Sequence, residues 1–164
     1  MTAPSRSDAE LAPVAAAAAD LLRLDQQLCF ALYATSLAMT KLYKPMLAPL
    51  GLTYPQYLVM LVLWERDDRA VHELGELLQL DSGTLTPLLK RMEAAGFIHR
   101  QRDTEDERRV RIRLSEQGQT LKAQAASIPS AIMCRVGLEG DQVVALRAEL
   151  HELRQRLHGQ PHEE

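Results

Sequence analysis

The most informative stretch of the sequence, residues 71–114, reads VHELGELLQLDSGTLTPLLKRMEAAGFIHRQRDTEDERRVRIRL. Its apolar residues first recur at helical intervals, in two sets that a short polar segment separates. The interval then changes to two, because Val110, Ile112 and Leu114 alternate with arginines. Two helices joined by a turn and followed by a basic β-hairpin are the elements of a winged helix-turn-helix. We therefore predict a mainly α-helical fold with a small β-hairpin wing.

The second helix of this motif has a sequence that limits where it can begin. Pro87 lies inside the helical pattern, and a proline beyond the first turn leaves a carbonyl unpaired. This predicts a start at Gly83 or Thr84, with Ser82 or Asp81 as the N-cap. The apolar face of the helix is formed by Leu85, Leu88, Leu89 and Met92.

The exposed face of the same helix carries small and basic side chains that suit DNA. Small residues let a helix enter the major groove, threonine can contact bases or phosphates, and lysine and arginine neutralise backbone charge. Arg108 at the wing tip would be attracted to a narrow minor groove. A polar helix face or a basic hairpin alone is typical of an ordinary surface, but together, in this order, they favour DNA binding. Candidate DNA-contacting residues are Ser82, Gly83, Thr84, Thr86, Pro87, Lys90 and Arg91 in the helix and Asp106, Arg108 and Arg109 in the wing.

Helical patterns also precede this motif. Residues 21–47 have apolar positions at steps of three to five, which predicts a helix that bends or ends near Pro45. Thr53 and Gln56 have the spacing of a capping box at the start of a buried helix. The charged residues 65–69 are expected to form a turn before the helix-turn-helix begins.

The C-terminal part of the chain reads as helix throughout. A helical stretch opens at residues 115–118 and breaks at Pro129, and a last helix is predicted over residues 140–158. Apolar residues in that last helix alternate steps of three and four, which is the spacing of a coiled-coil seam. Packing within the chain and packing against a second copy both fit this spacing. The seam consists of Val143, Leu146, Leu150, Leu153 and Leu157.

Composition excludes several other classes of protein. The 164 residues are 46% apolar and 25% charged, values of a globular domain. The longest apolar run, residues 58–64, is too short to cross a membrane, and the N-terminal residues lack the pattern of a signal peptide. The net charge is −3, yet residues 81–113 hold eight basic and six acidic side chains, so positive charge is concentrated in the predicted DNA-binding part.

Cysteine and histidine spacing predicts no metal site and no cofactor. Cys29 and Cys134 are far apart and belong to no CxxC motif, and the five histidines show no paired-ligand spacing. Two isolated cysteines are typical of a protein in the reducing cytoplasm.

From about Leu28 to Gly118 the chain resembles the MarR family of winged-helix repressors. Residues 106–118, DERRVRIRLSEQG, are similar to the wing signature of that family. Three further segments, LCFALY at 28–33, LTYPQY at 52–57 and LDSGTLTPLL at 80–89, resemble the organic-hydroperoxide-sensing OhrR branch. The resemblance implies a homodimer, held by N- and C-terminal helices, that binds double-stranded DNA at an inverted-repeat operator.

The predicted organisation of the chain combines these patterns with the resemblance. It consists of a tail (1–20), an N-terminal dimerisation region (21–52), a winged helix-turn-helix domain (53–118), C-terminal dimerisation helices (119–158) and a second tail (159–164).

Cys29 is either a core residue or a redox sensor. Tyr33 is one helical turn away, whereas Tyr43 is fourteen residues on, or about 21 Å along a straight helix. Tyr43 can therefore meet Cys29 only if the chain folds back or if the cysteine belongs to a partner. The resemblance implies the second case, with Tyr43 and Tyr54 donating to the peroxidatic sulfur across the dimer. Such a hydrogen bond favours the reactive thiolate.

Cys134 is either a second buried cysteine or a resolving thiol. The resemblance to two-cysteine members of the branch implies the latter, with a disulfide forming between Cys29 and Cys134 of the partner. The expected function is a repressor that an organic hydroperoxide releases from DNA, which derepresses a peroxide-detoxification gene. One alternative is a MarR-type repressor released by a phenolic ligand. Another is a thiol peroxidase enzyme, which the lack of a thioredoxin-like βαβ pattern disfavours.

Overall fold

The computed structural model describes residues 22–103, 106 and 109–158. The chain divides into two units, residues 1–45 and 46–164. The first unit contains a 3₁₀ turn, Leu24–Gln26, and most of helix α1, Leu28–Leu47. The helix predicted over 21–47 is thus confirmed, although a 3₁₀ turn replaces its start. Pro45 lies inside α1 and the helix ends two residues later.

The second unit holds the remaining elements. A 3₁₀ turn, Ala48–Leu50, leads into α2, Tyr54–Glu65, and the predicted capping box is present because the Thr53 N–H donates to Gln56 Oε1 at 2.8 Å. The elements that follow are β1 (Arg69–Ala70), α3 (Val71–Leu78), α4 (Ser82–Ala94), β2 (Ile98–Arg102), β3 (Val110–Leu114), α5 (Glu116–Ala125), α6 (Ile128–Val136) and α7 (Gly140–His158).

The three strands form an antiparallel sheet in the order β1-β3-β2. The predicted hairpin is confirmed, with Ile98 opposite Leu114 and Arg102 opposite Val110. Strand β1 was not predicted, and the expectation of a turn over residues 65–69 is wrong at both ends, because Glu65 is the last residue of α2 and Arg69 pairs with Ile112. A two-residue strand is too short to show the alternation by which strands are predicted.

The core of the second unit lies between α2, α3, α4 and the sheet. Trp64 anchors α5 to it, since its indole Nε1–H donates to the Gly118 carbonyl at 2.9 Å and Lys122 Nζ donates to the Trp64 carbonyl at 2.7 Å. Gly118 has no room for a side chain, because a Cβ there would stand 2.1 Å from the Phe97 carbonyl oxygen. These contacts hold α5 against α2 and against the backbone that leads into β2.

The C-terminal helices follow the predicted divisions. Pro129 is in the first turn of α6, Gly137 ends that helix with a φ of +70°, and α7 runs to His158 as predicted. Within the described residues, α7 has no buried side chain. No single helix in the described part of the chain is long and apolar enough to span a membrane, although one bent pair of consecutive helices reaches the required length and composition together.

Candidate nucleic-acid interface and redox residues

Helix α4 presents a polar face whose residues match the predicted DNA-contacting set. Its predicted apolar face is buried, with Leu85, Leu89 and Met92 at most 1% exposed. The opposite side leaves Ser82, Gly83, Thr84, Pro87, Lys90 and Arg91 exposed and Thr86 half-buried. Burial on one side therefore determines which side chains a ligand of α4 could reach.

The start of α4 lies one residue before the earliest predicted position, at Ser82, with Asp81 as the N-cap. Asp81 Oδ1 accepts the Thr84 N–H at 2.8 Å and Oδ2 accepts the Thr84 hydroxyl at 2.9 Å. These hydrogen bonds hold the pKa of the Asp81 carboxyl below its ordinary value. Pro87 is the sixth residue of α4, beyond the first turn, so the Gly83 carbonyl lacks its usual helical donor. Gly83 is exposed, so water can bond to that carbonyl instead.

The turn between α3 and α4 is closed by backbone geometry. Gln79 has a φ of +55°, and the Leu80 N–H donates to the Gly75 carbonyl at 3.0 Å. A Cβ at Gly75 would stand 3.0 Å from the Leu80 carbonyl oxygen, so the small residue allows the close approach. This turn sets the angle at which α4 leaves α3.

Two of the predicted wing residues are linked at the hairpin loop. The Arg109 N–H donates to the Asp106 carbonyl at 2.8 Å, and Arg109 Nε lies 3.4 Å from Asp106 Oδ2. The Asp103 N–H donates to the Arg109 carbonyl at 2.9 Å. Arg108, the predicted wing tip, lies outside the described residues.

The arginine face of β3 is held by Asp68, a residue that sequence reasoning did not identify. Its carboxylate accepts Arg111 Nε at 2.7 Å and Arg113 Nη2 at 2.9 Å. The two guanidinium groups hold the pKa of Asp68 well below its ordinary range. Asp68 adopts a left-handed φ of +58°, and Asp67 beside it accepts the Leu114 N–H at 2.9 Å. Two of the arginines that alternate along β3 are therefore engaged in ion pairs within the chain.

A pair of acids in the loop before α3 was the available signal for this network. Residues 67 and 68 are consecutive aspartates, and the alternating arginines of β3 need counter-charges. Their contact depends on the pairing of β1 with β3, which the sequence did not predict.

Lys90 and Arg91 are exposed on α4, and among the described residues neither forms an ion pair. They differ in this from Arg111 and Arg113. Lys90 and Arg91 can thus bind an anion such as a DNA phosphate without first breaking a salt bridge seen here.

The predicted redox residues divide between the two units. Cys29 and Tyr33 lie one turn apart on α1 and are both exposed. Tyr43 is on the same continuous helix and half-buried, so the chain does not fold back between them and about 21 Å separates them along the axis.

The second unit holds Tyr54 and Cys134. Tyr54 is the first residue of α2, and burial raises the pKa of its phenol above the ordinary value. Cys134 is exposed on α6. Exposure contradicts the alternative that either cysteine is buried in the core of its own unit. In the described part of the chain, no group of three potential ligands could hold a metal ion.

Comparison with known proteins identifies the family. Residues 41–125 match the transcriptional regulator family SarA/Rot. The chain is 50% identical over 139 residues to the organic hydroperoxide resistance transcriptional regulator of Bacillus subtilis, covering 85% of this chain and 95% of that protein. This chain is a winged-helix transcriptional regulator of the MarR family.

Solved structures of MarR-family regulators show the same fold. Reduced AbfR of Staphylococcus epidermidis bound to DNA matches with a TM-score of 0.70 and 34% identity, covering 86% of this chain and 99% of that chain. AbfR in a disulfide form matches with a TM-score of 0.58 and 34% identity, over 85% and 98% of the two chains. A MarR variant from E. coli complexed with operator DNA shares the fold at a TM-score of 0.70 and 22% identity, covering 77% of this chain and 92% of that chain.

The relatives of this MarR-family regulator are transcriptional regulators and not enzymes. This finding is against the thiol peroxidase alternative. It agrees with the position of the candidate DNA-contacting residues, which lie on α4 and in the wing.

Proposed function

We propose that this protein is a repressor that senses organic hydroperoxides through Cys29. In the proposed cycle the reduced homodimer binds an inverted-repeat operator, and oxidation of Cys29 followed by disulfide formation with Cys134 releases the DNA. The observation that carries the proposal is the exposed Cys29, one turn from Tyr33, in a chain half identical to a regulator of organic hydroperoxide resistance.

Exposed apolar side chains support a homodimer. Among the described residues, α1 buries only Leu47 and α7 buries none. Leu28 and Tyr33 are each 60% exposed, and the seam residues Leu146 and Leu150 are 45% and 43% exposed. Apolar surface on this scale favours association, and a second copy would cover the N- and C-terminal helices as the family pattern predicts.

The proposed oxidation is a nucleophilic substitution at oxygen. The Cys29 thiolate attacks one peroxide oxygen, the O–O bond breaks, and the departing alkoxide takes a proton to become an alcohol. Cys29 is left as a sulfenic acid. The Cys134 thiolate then attacks that sulfur, an S–S bond forms and hydroxide leaves, which becomes water on protonation. Two thiols are oxidised and one hydroperoxide is reduced.

Tyrosine hydrogen bonds are proposed to hold the thiolate before it reacts. Tyr54 suits this role because a phenol is protonated at neutral pH and can donate to an anionic sulfur, and burial raises its pKa further. Tyr43 cannot reach Cys29 of its own helix, so the proposal places the cysteine of the partner beside both phenols. Oxidation would remove the charge that these donors stabilise.

Release of DNA is explained by the spacing of the two recognition helices in a homodimer. Two recognition helices engage successive major grooves only when they are about 34 Å apart. Oxidation at the dimerisation helices therefore has to change that separation only slightly to weaken binding.

The test measures DNA binding by fluorescence anisotropy before and after one equivalent of cumene hydroperoxide. The probe is a duplex that the reduced wild-type protein enriches from a random 30-base-pair library. We expect wild type to release the duplex and to rebind it after dithiothreitol, and Cys29→Ser to stay bound throughout.

Cys134→Ser is the matched control for the second step. Because the proposed cycle releases DNA through the disulfide, this variant should stay bound after oxidation, and it should lack the disulfide that non-reducing electrophoresis detects in wild type. Continued binding of oxidised wild type would contradict the redox mechanism, and release of Cys29→Ser by a phenolic acid would instead favour the ligand-responsive alternative.

A further inference from the structure

The recognition helix α4 carries two threonines whose hydroxyl groups have different partners. The Thr84 hydroxyl donates to Asp81 Oδ2 at 2.9 Å, while the Thr84 N–H donates to Asp81 Oδ1 at 2.8 Å. A hydroxyl has one proton, so this bond uses the only donor that the Thr84 side chain has. Thr84 is exposed and keeps its γ-methyl group for contact with a ligand.

The Thr86 hydroxyl is not used in this way. Three other helical threonines donate to the carbonyl four residues earlier, at 2.7 to 2.9 Å; these are Thr35, Thr40 and Thr120. In the described part of the chain the Thr86 hydroxyl makes neither this bond nor any other hydrogen bond. Its proton is available to an acceptor on DNA.

The two threonines flank the exposed face of α4 on different sides. At 3.6 residues per turn they are about 160° apart around the helix axis, with Gly83, Pro87 and Lys90 between them. A helix in the major groove brings its two flanks against different base edges. Thr84 and Thr86 can therefore read different chemical groups in one half-site.

We propose that Thr84 recognises a thymine C5-methyl group by apolar contact, and that Thr86 recognises a DNA acceptor through its hydroxyl. Asp81 is the positioning residue for this division. Its carboxylate accepts the proton of the Thr84 hydroxyl, so this hydroxyl does not donate to DNA. This inference rests on the proposed DNA-binding function and specifies the contacts that give it sequence preference.

Paired substitutions at the two positions test the division. At position 84 the methyl group should matter, so Thr84→Val should bind the enriched duplex within about twofold of wild type. Thr84→Ser should bind about tenfold more weakly over two half-sites, because a buried methyl contributes about 0.8 kcal/mol at each. At position 86 the hydroxyl should matter, so Thr86→Ser should resemble wild type and Thr86→Val should lose about fivefold or more.

A change in the DNA gives a test that needs no variant of the protein. Replacing thymine by deoxyuridine removes only the C5-methyl group. One such replacement per half-site should weaken wild-type binding by the same factor as Thr84→Ser, and should not weaken Thr84→Ser further. In Asp81→Ala the discrimination between thymine and uracil should shrink while circular dichroism shows an unchanged helix content.

The inference is overturned if the valine variant binds worse than the serine variant at position 84, or if the serine variant binds worse than the valine variant at position 86. It is also overturned if no thymine in the duplex can be replaced by deoxyuridine with a loss of affinity. Failure of the wild-type protein to enrich any duplex would instead overturn the proposed function. A third outcome would contradict only the division proposed for α4. In that outcome the wild-type protein binds DNA and releases it with peroxide, but Thr84→Val and Thr86→Val lose DNA affinity equally.

Discussion

Helices α4 and α7 have similar apolar patterns in the sequence but very different surroundings in the protein. Leu85, Leu88 and Leu89 of α4 are at most 5% exposed, whereas Leu146 and Leu157 of α7 are 45% and 64% exposed. An amphipathic pattern thus shows which face of a helix will be covered, but not whether the same chain covers it. Helix α4 is positioned by contacts within its own chain, whereas α7 leaves its apolar side chains exposed.

The largest difference between α4 and α7 should appear when a leucine of each helix is replaced by alanine. Leu89→Ala removes a fully buried side chain and should lower the free energy of unfolding by about 2–5 kcal/mol. Urea denaturation monitored by the fluorescence of Trp64, the single tryptophan, measures this loss. A loss below about 1 kcal/mol would contradict a core position for Leu89.

Leu150→Ala is the matched change in α7 and should act mainly on association. Leu150 is 43% exposed, so truncating it should raise the dimer dissociation constant by about tenfold, since each dimer loses the contact twice. Analytical ultracentrifugation across a dilution series measures this constant. An unchanged dissociation constant would show that the seam on α7 lies outside the subunit interface.

A smaller effect concerns the wing, where ion pairs on one face of the sheet add to the burial of Ile98 and Ile112. Asp68→Asn should lower stability at pH 7, because two arginines lose their carboxylate partner. The folded protein holds the pKa of Asp68 below its ordinary 3.8, so this stability is fully present above pH 3.8 and is lost as the pH falls below that value.

The pH dependence separates a charge effect from a steric one. Urea denaturation of wild type and Asp68→Asn should show a difference at pH 7 and pH 5 that narrows as the pH falls below 3.8. Salt should also reduce the difference, because these groups are partly exposed. A difference that is constant at all pH values would argue against the ion pairs as its cause.

The smallest effect should come from the cap of the recognition helix. Asp81→Ala removes the acceptor of the Thr84 N–H and should lower the melting temperature slightly, whereas Asp81→Asn keeps one acceptor oxygen and should lose less. Differential scanning fluorimetry compares the two variants. Equal losses would show that the charge of Asp81, and not its hydrogen bond, stabilises the start of α4.

Sequence reasoning was most successful where the controlling interactions are local. The apolar face of α4, the capping box of Thr53 and Gln56, and the β-hairpin follow from residue spacing alone, and all are present. It failed at β1 and Asp68, because a two-residue strand has no period and because the partners of Asp68 are more than forty positions away in the chain.

The sequence by itself determined the winged helix-turn-helix, the polar face of α4 and the helix that carries Cys29, Tyr33 and Tyr43. Period, capping and turn chemistry act over a few residues, so they can be read from spacing. Only the tertiary structure decided that Arg111 and Arg113 are bound to Asp68 and that α7 lacks buried side chains among the described residues. Salt bridges and burial depend on which distant residues the fold brings into contact, and spacing along the chain does not contain that information.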